Sequence, residues 1–148
     1  MKVYIASDHN GFEFKHGVAE ELARGGYKVV DEGDTELNPE DDFPQFAERA
    51  IRALKADDDP QSRAILICGS GQGMCMAANR FKGIRASLVW SNEEARASRT
   101  DDDSNVLCLP ARYLTEVDAV SLAATWLATP FAGEERFKRR IAELDNLG

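Results

Sequence analysis

The chain has 148 residues, 43% hydrophobic and 30% charged, and its 18 basic and 26 acidic side chains give a net charge of -8. That length suits one domain with its own core, and the acidic balance argues against a general nucleic-acid binder, although a few local arginines could still hold a small anion. No apolar run reaches the roughly 20 residues of a membrane span, the amino terminus lacks a signal-peptide layout, and the three cysteines form no CxxC pair; the expectation is a soluble cytoplasmic protein with no metal, cofactor, membrane or nucleic-acid partner.

Strand-like and helix-like patterns then alternate along the chain. "KVYIAS" (2–7) is a short apolar strand. In 12–26, Phe14, Val18 and Leu22 recur at helical spacing, and Gly25–Gly26 stops the helix. "YKVVDEG" (27–33) is a strand and "TELNPEDD" (35–42) a polar loop. From Phe43, apolar residues at 46, 47, 50, 51 and 54 mark a strongly amphipathic helix. "AILIC" (64–68) is continuously apolar, as expected of a strand buried on both faces. A glycine-rich turn leads into a helix over about 74–81, followed by a strand (84–90), a helix (92–99), a strand (105–110) and a helix (116–128). A charged segment, 134–147, reads as a last helix. No repeat or linker divides residues 1–148.

Such alternation implies an α/β fold, a parallel sheet covered by helices on both faces and joined by right-handed crossovers. Ligands bind such sheets at the carboxyl ends of the strands. That rule points to "SDHNG", "CGSGQG", the segment around Asp101–Asp103, and "PAR".

Gly69, Gly71 and Gly73 let the backbone approach a ligand closely, and successive N–H groups in such a turn make an anion-binding nest. A Walker A loop is excluded because no Gly-Lys-Ser/Thr follows, and the G-x-G-x-G spacing fits a dinucleotide fingerprint poorly. Cys68 stands directly before the nest. A cysteine at a strand end is commonly a packing residue. Yet converging amides lower a thiol's pKa, and a thiolate can act as nucleophile or as a base toward carbon. Cys75 and Cys108 read as packing residues, and His16 as a surface residue. Asp8 and His9 follow the first strand and are suited to grip hydroxyls or phosphate. Arg136 and Arg140 share a helix face at i, i+4 and, with Arg112, could hold phosphate by charge-assisted bonds; for the helix pair, a solvated salt-bridged surface is the simpler alternative.

Taken together, "SDHNGFEFK", "ICGSGQGMCMAANRFKGIRA", "SRTDDDSNVLCLPAR" and "TPFAGEERFKRRI" resemble the ribose-5-phosphate isomerase B family, which includes the galactose-6-phosphate isomerase subunits. The resemblance runs in order through nearly the whole chain. It implies a Rossmann-like three-layer α/β/α sandwich with a mostly parallel five-stranded sheet. It also implies a homodimer or dimer of dimers, with the carboxyl-terminal helix on a partner subunit, and metal-free aldose–ketose isomerisation through a cis-enediolate. In the family a cysteine at the Cys68 position is the base, and the loop with Ser70 is the oxyanion hole. By the same carry-over, Asp8 and His9 contact hydroxyls and phosphate. Arg112, Arg136 and Arg140 bind phosphate, and the pocket is completed across the dimer interface. Family members commonly carry His-Asn where this chain has Asp101-Asp102, and many have histidine at the Phe137 position. That first histidine opens the sugar ring. Three readings follow: Asp101 takes the role with Asp102 toward the sugar hydroxyls, His9 takes it, or the substrate is an acyclic tetrose 4-phosphate. Ribose 5-phosphate comes first; allose 6-phosphate and galactose 6-phosphate are other candidates. A catalytically silent relative, or a nucleotide-binding α/β module, is the alternative of another class.

Overall fold

A computed structural model describes all 148 residues. The strands are β1 (Lys2–Ser7), β2 (Lys28–Asp31), β3 (Arg63–Cys68), β4 (Ala86–Leu88) and β5 (Val106–Pro110). The helices are α1 (Phe12–Arg24), α2 (Phe43–Ala56), α3 (Gln72–Ala78), α4 (Asn92–Thr100), α5 (Glu116–Ala128) and α6 (Glu135–Asp145). The five strands run in the order β2-β1-β3-β5-β4. Every pairing is parallel, with Ser7 beside Ile67 and Cys68 beside Pro110.

Period-two alternation divides the core. On one face Val3, Ile5, Ile65, Ile67, Leu107 and Leu109 pack with Val18 and Leu22 of α1 and Trp126 of α5. On the other, Ala6, Leu66, Cys68 and Cys108 pack with Phe46 and Ile51 of α2 and Met74 of α3. β3 is buried on both faces, as its unbroken apolar run predicts. β1 feeds α1 on the first face, and β3 feeds α3 on the second. The chain therefore reverses its winding between β1 and β3, and at such a switch point the diverging connections leave a crevice outside the carboxyl ends of the strands.

Local chemistry sets the helix starts. The Ser91 hydroxyl accepts from the Glu94 N–H and Thr115 from Asp118, and Pro44 sits in the first turn of α2. Several elements differ from the sequence expectation. α3 begins at Gln72 because Gly71, at φ 76°, turns the chain into the helix two residues before Met74. The strand expected over 84–90 is confined to Ala86–Leu88, at the sheet edge. Lys15 lies fully buried on α1, where its charge suggests exposure. Its Nζ donates to Asp31 at 2.9 Å and to the Asp34 carbonyl at 3.2 Å, which satisfies an otherwise costly buried ammonium.

Candidate active site

The crevice between β1 and β3 gathers one group of the expected residues. Cys68, 5% exposed, ends β3 on the α2/α3 face. A short 3-10 turn, His9–Gly11, follows β1. Its Gly11 packs so closely on β3 that a Cβ there would lie 2.6 Å from Ile67 Cγ2. Asp8 caps this turn by accepting from the Asn10 N–H at 3.0 Å. Burial raises the Asp8 carboxyl above its ordinary range, and the negative charge of Asp41 adds to the effect; the Asn10 bond and His9 oppose it.

The turn after β5 holds the start of the glycine loop in place. Cys68 and Gly69 carbonyls accept from the Ala111 and Arg112 N–H groups at 2.9 and 3.0 Å. The Arg112 guanidinium lies 3.0 Å from where a Gly69 Cβ would stand. Ser70 Oγ accepts from the Gln72 N–H at 3.4 Å. Phe43, at the start of α2, places its ring edge 2.8 Å from the position of a Gly73 Cβ. His9 Nδ1 pairs with Asp41 Oδ1 at 2.7 Å. Phe43 and Asp41 were not expected from sequence. The loop 35–42 reads as polar filler, but it also leaves the carboxyl end of a strand, and that was the signal available.

Cys108 packs on the same face as Cys68. Burial and the neighbouring Cys75 push the Cys108 thiol well above the usual range. Cys75 moves the other way, chiefly because it is hydrogen-bonded to Cys108. Cys108 is thereby kept neutral beside Cys68.

The second group lies elsewhere. Assignment of Asp101–Asp103 to a carboxyl end is corrected by the chain path: the segment joins α4 to the beginning of β5, so it sits at the amino end of the sheet. Arg140 lies close enough to act on Asp102, whose carboxyl is raised by partial desolvation and by Asp101, with Arg140 and Arg85 pulling it down. Arg136 pairs with Glu134 at 2.9 Å and lies 4.7 Å from the buried Phe137 ring. Arg85 ties this end together. It donates to both Asp145 oxygens at 3.2 and 3.0 Å and to the Asp102 and Asp103 carbonyls at 3.1 and 3.2 Å. A groove of about 750 Å³ opens here, bordered by Asn79, Arg80, Arg85, Asp102, Leu144 and Asp145. The chain thus carries Asp8, His9, Cys68, the glycine loop and Arg112 at one end. Asp101, Asp102, Arg136 and Arg140 are at the other.

A family described as Ribose/Galactose Isomerase matches residues 3–144. A probable ribose-5-phosphate isomerase B of Mycoplasma pneumoniae is 42% identical over 93% of this chain and 89% of that protein. A 4-deoxy-4-sulfo-D-erythrose isomerase of a Clostridium species is 38% identical over 88% of this chain and 81% of its own. Ribose-5-phosphate isomerase B of Mycoplasma genitalium, solved with bound ribulose-5-phosphate, superposes with a TM-score of 0.92 at 38% identity, covering 97% and 93% of the two chains.

Proposed function

The chain belongs to the ribose/galactose isomerase family, and from that premise we propose that it interconverts ribose 5-phosphate and ribulose 5-phosphate, with Cys68 as the base. One observation carries this reading. Cys68 closes a buried strand at the crevice where the sheet reverses its winding, immediately before the glycine loop, and follows Ile67 as Asp8 follows Ser7 in the paired strands β3 and β1. The Cys68 thiolate takes the proton from C2 of the open-chain aldose. Electron density moves to the carbonyl oxygen, and the enediolate oxygen meets Ser70 and the N–H groups of Gly69–Gly73. The proton returns to C1 while another passes between the two oxygens. Asp8 and His9 hold hydroxyls and phosphate, and Arg112 supports the phosphate.

Arg136 and Arg140 reach this site only from a second copy, so the reading includes a homodimer. Met76, at the middle of α3, is 64% exposed. The glycine loop lies at one end of α3, and Asn79 and Arg80 of the open groove at the other. Two α3 helices packed antiparallel about Met76 would set each Cys68 loop against the other copy's Asp101, Asp102, Arg136 and Arg140, burying Leu144 of α6. Two such dimers could pair again. Three free thiols suit a reducing compartment, the cytoplasm.

A second reading concerns the substrate. A four-carbon sugar with a phosphate or sulfonate at C4 cannot close a furanose ring, so it needs no ring-opening histidine. Asp101 and Phe137 stand where the resemblance puts histidines, and a relative of this chain is named for a sulfo-erythrose. Under the first reading Asp101 or His9 opens the ring. The test is exchange of the C2 proton with solvent, followed by NMR, for ribose 5-phosphate, erythrose 4-phosphate, 4-deoxy-4-sulfo-erythrose, allose 6-phosphate and galactose 6-phosphate. Fast exchange with ribose 5-phosphate supports the first reading, and exchange confined to the four-carbon sugars the second. No exchange with any of them would leave a binding module.

A further inference from the structure

The loop between β2 and α2 supplies a residue that neither the motifs nor the resemblance uses. Asp41 Oδ1 accepts twice from one residue, from His9 Nδ1 at 2.7 Å and from the His9 backbone N–H at 3.1 Å. The Asp41 side chain is 6% exposed and the imidazole 31%. The main-chain bond fixes the carboxylate relative to the turn after β1. The ring bond then fixes the rotation of the imidazole about that anchor. A carboxylate has no hydrogen to give, so the shared hydrogen sits on Nδ1. Nε2 makes no bond within the chain and is the nitrogen left for a substrate.

We propose that Asp41 is a positioning residue for the isomerisation: it holds His9 as the Nδ1–H tautomer and presents Nε2 to the sugar phosphate. Free neutral imidazole favours the opposite tautomer, so the carboxylate reverses an intrinsic preference. Neutral His9 then offers a lone pair at Nε2 to a substrate hydroxyl, and charged His9 offers an N–H to phosphate. Without Asp41 the ring would rotate and present either nitrogen. The kinetic part of this inference rests on the isomerase reading; the tautomer does not.

The chain has two histidines, so each is readable by long-range ¹H–¹⁵N correlation in labelled protein. At a pH where the rings are neutral, His9 should show the Nδ1–H pattern. Exposed His16, with no such partner, should show the Nε2–H pattern and serves as reference. Asp41→Ala should switch His9 to Nε2–H and lower kcat/KM by about 10- to 100-fold, with a cooperative melting curve shifted down by only a few degrees for the lost His9 N–H bond. Asp41→Asn keeps an acceptor oxygen. It should retain the Nδ1–H pattern and recover most of the loss. An Nε2–H pattern for His9 in the unmodified protein would overturn the proposal, as would Asp41→Ala turnover within twofold of wild type. If no sugar phosphate is isomerised by any variant, the isomerase reading fails, and the tautomer spectrum alone decides whether Asp41 sets the ring.

Discussion

Cys68 and Asp102 lie at opposite ends of the same parallel sheet. Cys68 stands beside Pro110 at the end of β5, whereas Asp102 precedes Val106 at its beginning. Val106 and Pro110 are four residue steps apart, about 13 Å at ~3.3 Å per residue. A side chain at either position cannot reach across that distance. One ligand can meet both only if two copies of the chain meet.

Mixed dimers test this arrangement. Cys68→Ala disables the thiol end and Arg136→Ala with Arg140→Ala the arginine end, so each variant alone should be nearly inactive. Random mixing of the two should restore about a quarter of wild-type activity, because half the dimers are mixed and each keeps one intact site of two. No recovery in verified mixed dimers would show that the sites do not cross.

Cys68→Ala should slow C2 proton exchange by about 10²- to 10⁴-fold, the range for loss of a positioned base. Binding of a phosphate-bearing, non-reactive sugar acid should change by less than about threefold, measured by calorimetry. Wild-type turnover by this variant would assign the proton transfer to another group.

Gly71→Ala should carry two penalties. The position has φ 76°, and a Cβ there would lie 2.5 Å from Leu88 Cδ1 and 3.2 Å from the Leu109 carbonyl carbon. Strain and overpacking together should cost about 2–4 kcal/mol, read as a lower urea midpoint at unchanged m-value. The loop would move with it, so exchange activity should fall further than stability. An alanine variant with the native midpoint would mean that the turn relaxes freely.

Asp8→Asn should trade activity for stability. The folded state holds the Asp8 proton more tightly than the unfolded chain does, because burial raises this carboxyl. Its favourable contribution is therefore complete below the ordinary value of 3.8 and is lost as pH rises through the higher folded value. Asparagine keeps the acceptor for the Asn10 N–H without the buried charge. The variant should melt above wild type at pH 7, and the gap should close near pH 4. Its kcat/KM should drop about tenfold or more if Asp8 grips a substrate hydroxyl. Equal melting temperatures at both pH values would mean that the charge carries no penalty.

The parts of the fold written in local periodicity were legible. "AILIC" is apolar at every position because both faces of β3 are covered, and the spacing of Phe46, Ala47, Ala50 and Ile51 marks the buried side of α2. The glycine loop marked the carboxyl end of β3, where Cys68 and Arg112 are gathered. The end of the sheet to which Asp101–Asp103 belongs was misread, because the carboxyl-end rule applies to segments leaving a strand and this one enters β5. Lys15 was illegible because its partner Asp31 is on another element, and charge alone argues for solvent. Asp41 was hidden for the same reason: its meaning lies in a bond to His9, 32 residues away.

The two tryptophans occupy the two ends of the molecule. Trp90 follows β4 on the same side as Cys68 and is 59% exposed, whereas Trp126 is wholly enclosed and donates to Ser104 Oγ at 2.8 Å, next to the loop that bears Asp102. They differ in polarity of surroundings and in access to a soluble quencher. Emission from one should be red-shifted and readily quenched by iodide, and emission from the other blue-shifted and shielded. The unlabelled protein therefore carries a separate optical signal for each end, and a change at either end can be followed in a single titration.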